Sequence, residues 1–373
     1  WSLFFYLSKT KSTPAYGGED IEGIVGQPTY INPLLSQSND VDGDLSQIIY
    51  NGIMEYDGQG NLKPDLAESY DISEDKTTYT FHLKKNVTWH DGISFSAQDV
   101  LFTVNALSDP SYKSPLRSNW QGIETNLIDD NTIEFRIKNP YVGFLNNLTF
   151  GILPKHLWEA VQPENFHLAK MNMEPIGTGP YKYNPPVQKD SKNNILTYKL
   201  ISNPTYFEGK PYISKITFNF YADEDSALDA YNQKEIMSIS NLSSQKVSSI
   251  KTVRSTNIFK LNIPRYFSVF FNQTKSVPLA SDEVREALSY ATDRKEIIDK
   301  VLSGSGDVVY SPFTPGMLGY SENIDKREFN LDKANEILEK KDWKKGDDGI
   351  RSKNNVLLKI NLVTTDWDEL NQT

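Results

Sequence analysis

The run TYTFHLKKNVTWHDGISFSAQDV, residues 78–100, decides how the chain is read. It crowds His82, His90, Asp91 and Asp99 together, and these residue types bind metals or move protons. The spacing points to scaffold instead. Tyr79, Phe81 and Leu83 alternate with Thr78, Thr80 and His82, the period of a half-buried strand. Asp91-Gly92 favours a tight turn after Trp89-His90. Ser96, followed three residues later by Asp99, is a helix-capping pair, with Val100, Leu101, Val104 and Leu107 as the apolar face behind it. Asp109-Pro110 stops that helix.

The same strand period recurs at Ile133, Phe135 and Ile137, and at Ile216, Phe218 and Phe220. A short helix behind a proline is expected within 152–161. After about residue 265 helices take over. Val284, Ala287, Leu288 and Ala291 mark one; Asp293 and Glu296 cap a second that contains Ile297, Ile298 and Val301; a third runs through Leu331, Ala334, Ile337 and Leu338. Residues 189–194 and 344–355 read as exposed loops, and 354–365 as a hairpin arm or central strand. Mixed strands and helices with this change of character predict an α/β protein of at least two lobes, and 373 residues suffice for that.

Composition removes whole function classes. Against 49 acidic residues stand 39 basic ones, a net charge of −10, so the electrostatic footprint of a nucleic-acid binder is missing. The densest basic run, Lys340-Lys341 with Lys344-Lys345, ends a charged helix and reads as solvated surface. With no cysteine in these residues, no disulfide, thiolate catalysis, cysteine-based metal site or lipid-accepting cysteine is expected among them. Trp1 to Leu7 is apolar but too short to span a bilayer, and a polar spacer follows to residue 18. This pattern is expected of a trimmed signal peptide or anchor, hence of an exported protein; an ordinary N-terminal strand is the alternative. No other stretch approaches a transmembrane helix.

No catalytic constellation emerges. His82, His90, His156 and His167 show no metal-binding spacing and read as hydrogen-bonded surface or turn histidines. Ser305 in LSGSGD (302–307) follows a helix and lacks the strand-to-helix setting of a hydrolase elbow; a helix C-cap explains it. GTGPY (177–181) lacks the third glycine of a dinucleotide fingerprint and the Gly-Lys-Ser/Thr of a phosphate loop. Asp223, Glu224 and Asp225 suit a helix start. Neither cofactor nor metal is expected.

Taken in order, the segments are distinctive. Asn32-Pro33 is followed by LKPDLAESY (62–70), SEDKTTYTFHLK (73–84), WHDG (89–92) and AQDV (97–100). PIGTGPYKY (175–183), NPTYFEGKPYISKITFNF (203–220), FFNQTKSVPLASDEVREALSYATDRKEIIDKVLSGSG (270–306) and FNLDKANEILEK (329–340) come next. This series strongly resembles the extracytoplasmic solute-binding proteins, family 5, of peptide/nickel-type ABC transporters, over residues 30–373.

The resemblance implies a two-lobed periplasmic-binding-protein-like α/β fold of type II with an extra inserted subdomain. Residues 19–55 and 170–264 would form the core of lobe I, 56–169 the inserted subdomain and 265–373 lobe II, with 1–18 as leader and spacer. Family members are longer, so lobe II is expected to be incomplete. The implied function is capture of a peptide between the lobes by backbone hydrogen bonding, with hinge closure over it and delivery to a membrane permease. Such a receptor is expected to be monomeric and extracytoplasmic and needs no catalysis. Same-fold receptors for nickel complexes, haem or oligosaccharides are alternatives, an unrecognised hydrolase stands further off, and a chaperone or adhesin role on the same scaffold is not separated from import by the sequence. By alignment with the family's first cleft loop, Ser36, Gln37, Ser38 and Asn39 are candidate ligand contacts. Asn119 and Trp120 align with an aromatic cover, and Phe313, with Met317, with a lobe II loop. Residues 238–244 are expected to border the cleft through backbone groups. The opening stretch 78–100 is expected to mark the family without touching the ligand.

Overall fold

The structure, a computed structural model, describes residues 14–247, 249–251, 256–259, 266–315, 317 and 319–364. Most of the expected leader, and the end of the chain from 365, lie outside the described residues. Two compact units divide between Leu242 and Ser243.

In the first unit the elements follow in the order β1 (Glu19–Val25), α1 (Asp40–Ile49), β2 (Met54–Tyr56), β3 (Leu62–Pro64), β4 (Ala67–Ile72), β5 (Thr78–Leu83) and α2 (Ala97–Ser108). Then come β6 (Glu124–Asp129), β7 (Thr132–Arg136), α3 (Lys155–Trp158), β8 (Tyr181–Tyr183), β9 (Gln188–Lys189), β10 (Ile195–Ser202), β11 (Lys215–Tyr221), α4 (Glu224–Asn232) and β12 (Ser238–Ile239).

Two larger sheets result. The first is six-stranded, ordered β12-β1-β11-β10-β8 with β9 on β10. β1 runs parallel to both β11 and β12, while β10 pairs antiparallel with β11. Gln27, just after β1, fastens this sheet further: its Nε2 donates to Ile195 O (3.0 Å) and its Oε1 accepts from Ile195 N (2.8 Å). The second sheet is antiparallel, ordered β4-β5-β7-β6. Along β5, Tyr79, Phe81 and Leu83 are buried and the residues between them are not, as the alternation requires. Phe81 meets Phe135 edge-on at 5.8 Å, a favoured aromatic arrangement. Helix α2 starts at the expected cap: Ser96 N donates to Asp99 Oδ2 (2.9 Å) and Gln98 N to Ser96 Oγ (3.3 Å).

The Trp89–Gly92 turn closes through Gly92 N to Trp89 O (2.8 Å), with Gly92 at φ 90, a region that favours glycine. The glycines of GTGPY serve packing. Gly179 N donates to Ile49 O at 2.8 Å, and a Cβ on Gly177 would lie 1.9 Å from Ile49 O. The loop therefore seats the C-terminal end of α1 at a distance no larger residue permits.

In the second unit α5 (Asp282–Ala291), α6 (Arg294–Val301) and α7 (Leu331–Lys340) precede a small antiparallel sheet, β13 (Lys344–Lys345), β14 (Arg351–Lys353) and β15 (Val356–Leu357). Leu279, Val284, Ala287, Tyr290, Ala334, Leu338 and Trp343 form its core. One expectation is corrected here and another shortened. Residues 344–355 contain a hairpin with a turn at Asp348-Gly349, and of the described residues 354–364 Val356–Leu357 is the expected hairpin arm while 358–364 lie outside regular structure. The apolar run of that segment carried the strand expectation, but Leu357, Ile360, Leu362 and Val363 are exposed, so no buried face fixes a longer pairing. Among the described residues no helix is long and apolar enough to cross a membrane.

Candidate ligand-binding site

The loop between β1 and α1 is pinned from below. Asn32 is fully buried; its Nδ2 donates to Asn172 Oδ1 (2.9 Å) and its Oδ1 accepts from Leu34 N (3.0 Å). Ser114 Oγ donates to Leu34 O at 2.7 Å. Pro33 follows, so the Asn-Pro signature is a fold lock that fixes where the next residues emerge.

Those next residues make a short 3-10 turn, Ser36–Ser38, leading into α1. Asn39 is the N-cap: its Oδ1 accepts from Val41 N (3.1 Å) and its Nδ2 donates to Gln27 O (2.8 Å), which ties the start of α1 to the sheet-fastening glutamine. Asp42, in the first turn and 1% exposed, accepts from Thr29 N (2.7 Å) and Tyr30 N (2.9 Å). Burial pushes its pKa up, and the two amides act against that shift. Burial also raises Asp44, with help from the charge on Asp40.

Around this helix start lies an open cavity of about 670 Å³, lined by Val25, Gly26, Thr29, Tyr30, Leu35, Ser38, Asn39, Asp40, Val41, Asp42, Lys113, Pro115 and His167. It is a cleft of the size that small ligands and single side chains occupy. Tyr30 and His167 meet edge-on at 5.5 Å. His167 Nε2 is buried and has no hydrogen-bond partner among the described residues, an unsatisfied polar atom of the kind a ligand or water can satisfy. Lys113 holds a left-handed backbone (φ 54) at the end of a short turn.

Of the candidate contacts, Ser38 and Asn39 line this cavity. Ser36 is buried, with its amide on Asn32 O (2.9 Å), and Gln37 is exposed beside it. Asn119 is exposed, and its carbonyl accepts from Asn147 Nδ2 (3.4 Å). Trp120 is 2% exposed and packs edge-on against Phe135 (5.7 Å), Phe144 (6.4 Å) and Phe150 (5.5 Å). A ligand contact for this ring would require that packing to open. Phe313 and Met317 are exposed in the second unit. Within 238–244, Ser240 N donates to Gly23 O (3.4 Å). Tyr30, Lys113 and His167 were not among the expected contacts; they come from three remote segments, and only the fold gathers them.

One carboxylate group elsewhere has metal-like proximity: Glu55, Asp65 and Glu208 each offer an oxygen within 4.8 Å of the others. Its charges are met by protein. Lys63 Nζ lies 2.6 Å from Glu55, Lys84 Nζ 3.8 Å from Glu208, and Asn51 Nδ2 donates to Asp65 (3.0 Å). Burial lifts the Asp65 pKa to about 7, against the Asn51 hydrogen bond.

The fold and this helix-start cavity suit a solute-binding protein, and the comparisons agree. Residues 61–373 match the model of bacterial extracellular solute-binding proteins, family 5 (middle region), and the chain belongs to that family. Among individual relatives, the oligopeptide-binding protein AppA of Bacillus subtilis is 30% identical over 98% of this chain and 67% of its own. The dipeptide-binding protein of Escherichia coli is 29% identical over 86% of this chain and 63% of its own. In solved structures, NikZ from Campylobacter jejuni, in complex with Ni(L-His), matches with a TM-score of 0.77 and 27% identity, over 91% of this chain and 66% of that one. AppA from B. subtilis, in complex with a nonapeptide, matches with 0.72 and 28%, over 92% and 68%. The chain thus spans about two thirds of the length of these relatives, and its α/β fold is that of the solved binding proteins.

Proposed function

We propose that the chain is the solute-capturing receptor of an ABC importer, that its ligand is a peptide, and that it acts outside the cytoplasm as a monomer that delivers ligand to a membrane permease. The observation that carries this reading is the cavity at the start of α1, built by Ser38 and Asn39 in a chain of this binding-protein family. Support for a peptide comes from the relatives, whose printed names include oligopeptide- and dipeptide-binding proteins. Ser38 and Asn39 supply short polar side chains at the cavity, and such groups, with backbone, recognise an extended chain without demanding one sequence. In the same reading 19–55 and 170–264 form the core of lobe I, 56–169 its inserted subdomain and 265–373 the second lobe. The two sheets of the first unit support that partition, since the four-stranded one is drawn wholly from residues 67–136. The protein turns over no substrate in this account.

Native mass spectrometry of the protein purified without denaturation tests the ligand. Retained masses of short peptides are expected. Bare protein, or a single metal-chelate, haem or sugar mass, would overturn the peptide assignment.

A further inference from the structure

His90 was expected to be an ordinary turn histidine, yet it is bound three times to one short loop. Its backbone N–H donates to Gly177 O (2.9 Å), Gly177 N donates to its Nδ1 (3.2 Å), and its Nε2 donates to Gly179 O (3.0 Å). This pattern fixes a neutral imidazole with the proton on Nε2, because Nδ1 must accept. The loop it holds is the one that seats α1: Gly179 N donates to Ile49 O (2.8 Å), and Thr178 Oγ1 donates to Asn51 Oδ1 (3.0 Å) just beyond the helix. The other end of α1 carries Asn39 and the cavity.

We propose that His90 is an acid-released latch: neutral, it ties the Trp89–Gly92 turn to the 177–179 loop and so holds α1, and protonated, it lets that loop go. A proton on Nδ1 would face the N–H of Gly177, donor against donor, and leave that amide unpaired. The charges facing the ring are Lys182 on β8, which disfavours the imidazolium, and Asp91, which favours it but is already paired with His156 Nε2 at 2.8 Å. Burial lowers the His90 pKa to about 4, and Lys182 adds to the shift. The sign follows: an opened loop protonates from about pH 6.5 downward while the closed one stays neutral until about pH 4, so closure is lost as pH falls through that window. The latch is independent of which ligand the cavity takes.

The test is hydrogen exchange of the 177–179 amides from pH 7 to pH 4, corrected for intrinsic rates, in the wild type and in His90→Gln, whose amide keeps one donor and one acceptor but does not titrate. The wild type is expected to show opening that rises on the order of a hundredfold across this range, with the amides of β5 and β7 not following, and the variant to stay flat. An equal rise in the variant, or a rise shared by the whole unit, would overturn the latch. Imidazole NMR of the wild type alone also decides: a titration midpoint near 4 supports the latch, and one near 6.5 contradicts it.

Discussion

The two units of this chain use apolar residues differently. In the first, one continuous core runs from Ile24 to Phe220 and takes in both large sheets, with Trp89, Trp158, Phe81, Phe135, Phe144 and Phe166 almost wholly enclosed. Among the described residues of the second, a small cluster around Val284, Ala287, Leu338 and Trp343 forms a core, while Phe259 and Phe270 are 82% and 90% exposed. Buried apolar area is the main stabilising term, so the first unit is expected to unfold last. The more loosely packed second unit is expected to open at lower free energy, as weakly buried regions do. A candidate site on α1 therefore rests on the stiffer part of the molecule, which suits a preformed binding surface.

Substitutions can break or sharpen this contrast. Phe135→Ala empties the meeting point of Phe81, Trp120 and Phe144 and is expected to cost the first unit about 3–5 kcal/mol in denaturant titration, with amide exchange in α5 and α7 unchanged. Asp65, whose pKa is raised to about 7, adds a pH term. A folded value above the unfolded one makes its contribution largest below about pH 4 and lost as pH rises to about 7. That decline amounts to about 1.4 kcal/mol per pH unit at its steepest, and Asp65→Asn should remove it from the stability profile of the first unit. Leu338→Ala, in the smaller core, is expected to cost about 2–3 kcal/mol, seen as faster exchange in α7 and β14 while β5 and β7 stay protected. Phe270→Ser should move stability by less than about 0.5 kcal/mol in the same assays; a large loss there would show that the exposed rings of the second unit are structural after all.

Much of the scaffold was legible because local rules and tertiary packing agree. The alternation in 78–83 became β5, the Ser96–Asp99 pair became the cap of α2, and Asp223 capped α4 through Ser226 N (2.8 Å). Gly304, read as part of a helix end, donates to Ile298 O (3.0 Å) after α6. What the sequence hid depends on chain distance. Nothing local says that Glu19–Val25 will run parallel to Lys215–Tyr221, since register between remote strands is set by the shared core. The candidate site was half legible: the motif order pointed to residues 36–39, and Ser38 and Asn39 do line the cavity. His167, Lys113 and Tyr30 were not, because a turn histidine, a left-handed lysine and a lone tyrosine carry no pattern until the chain folds. The stretch 78–100 reads as scaffold, and its histidines are hydrogen-bonded as that reading expects, His82 to Asp71 and His90 to a glycine loop, while Asp91 pairs with His156.

The most direct measurement is calorimetric titration of short peptides into the wild type and into Ser38→Trp, whose indole would fill the cavity beside Asn39, with circular dichroism to confirm that the variant folds. Saturable peptide binding by the wild type, abolished in a folded Ser38→Trp, is the predicted result. Undiminished binding by that variant, or no peptide binding by the wild type, would contradict a peptide receptor built around the start of α1.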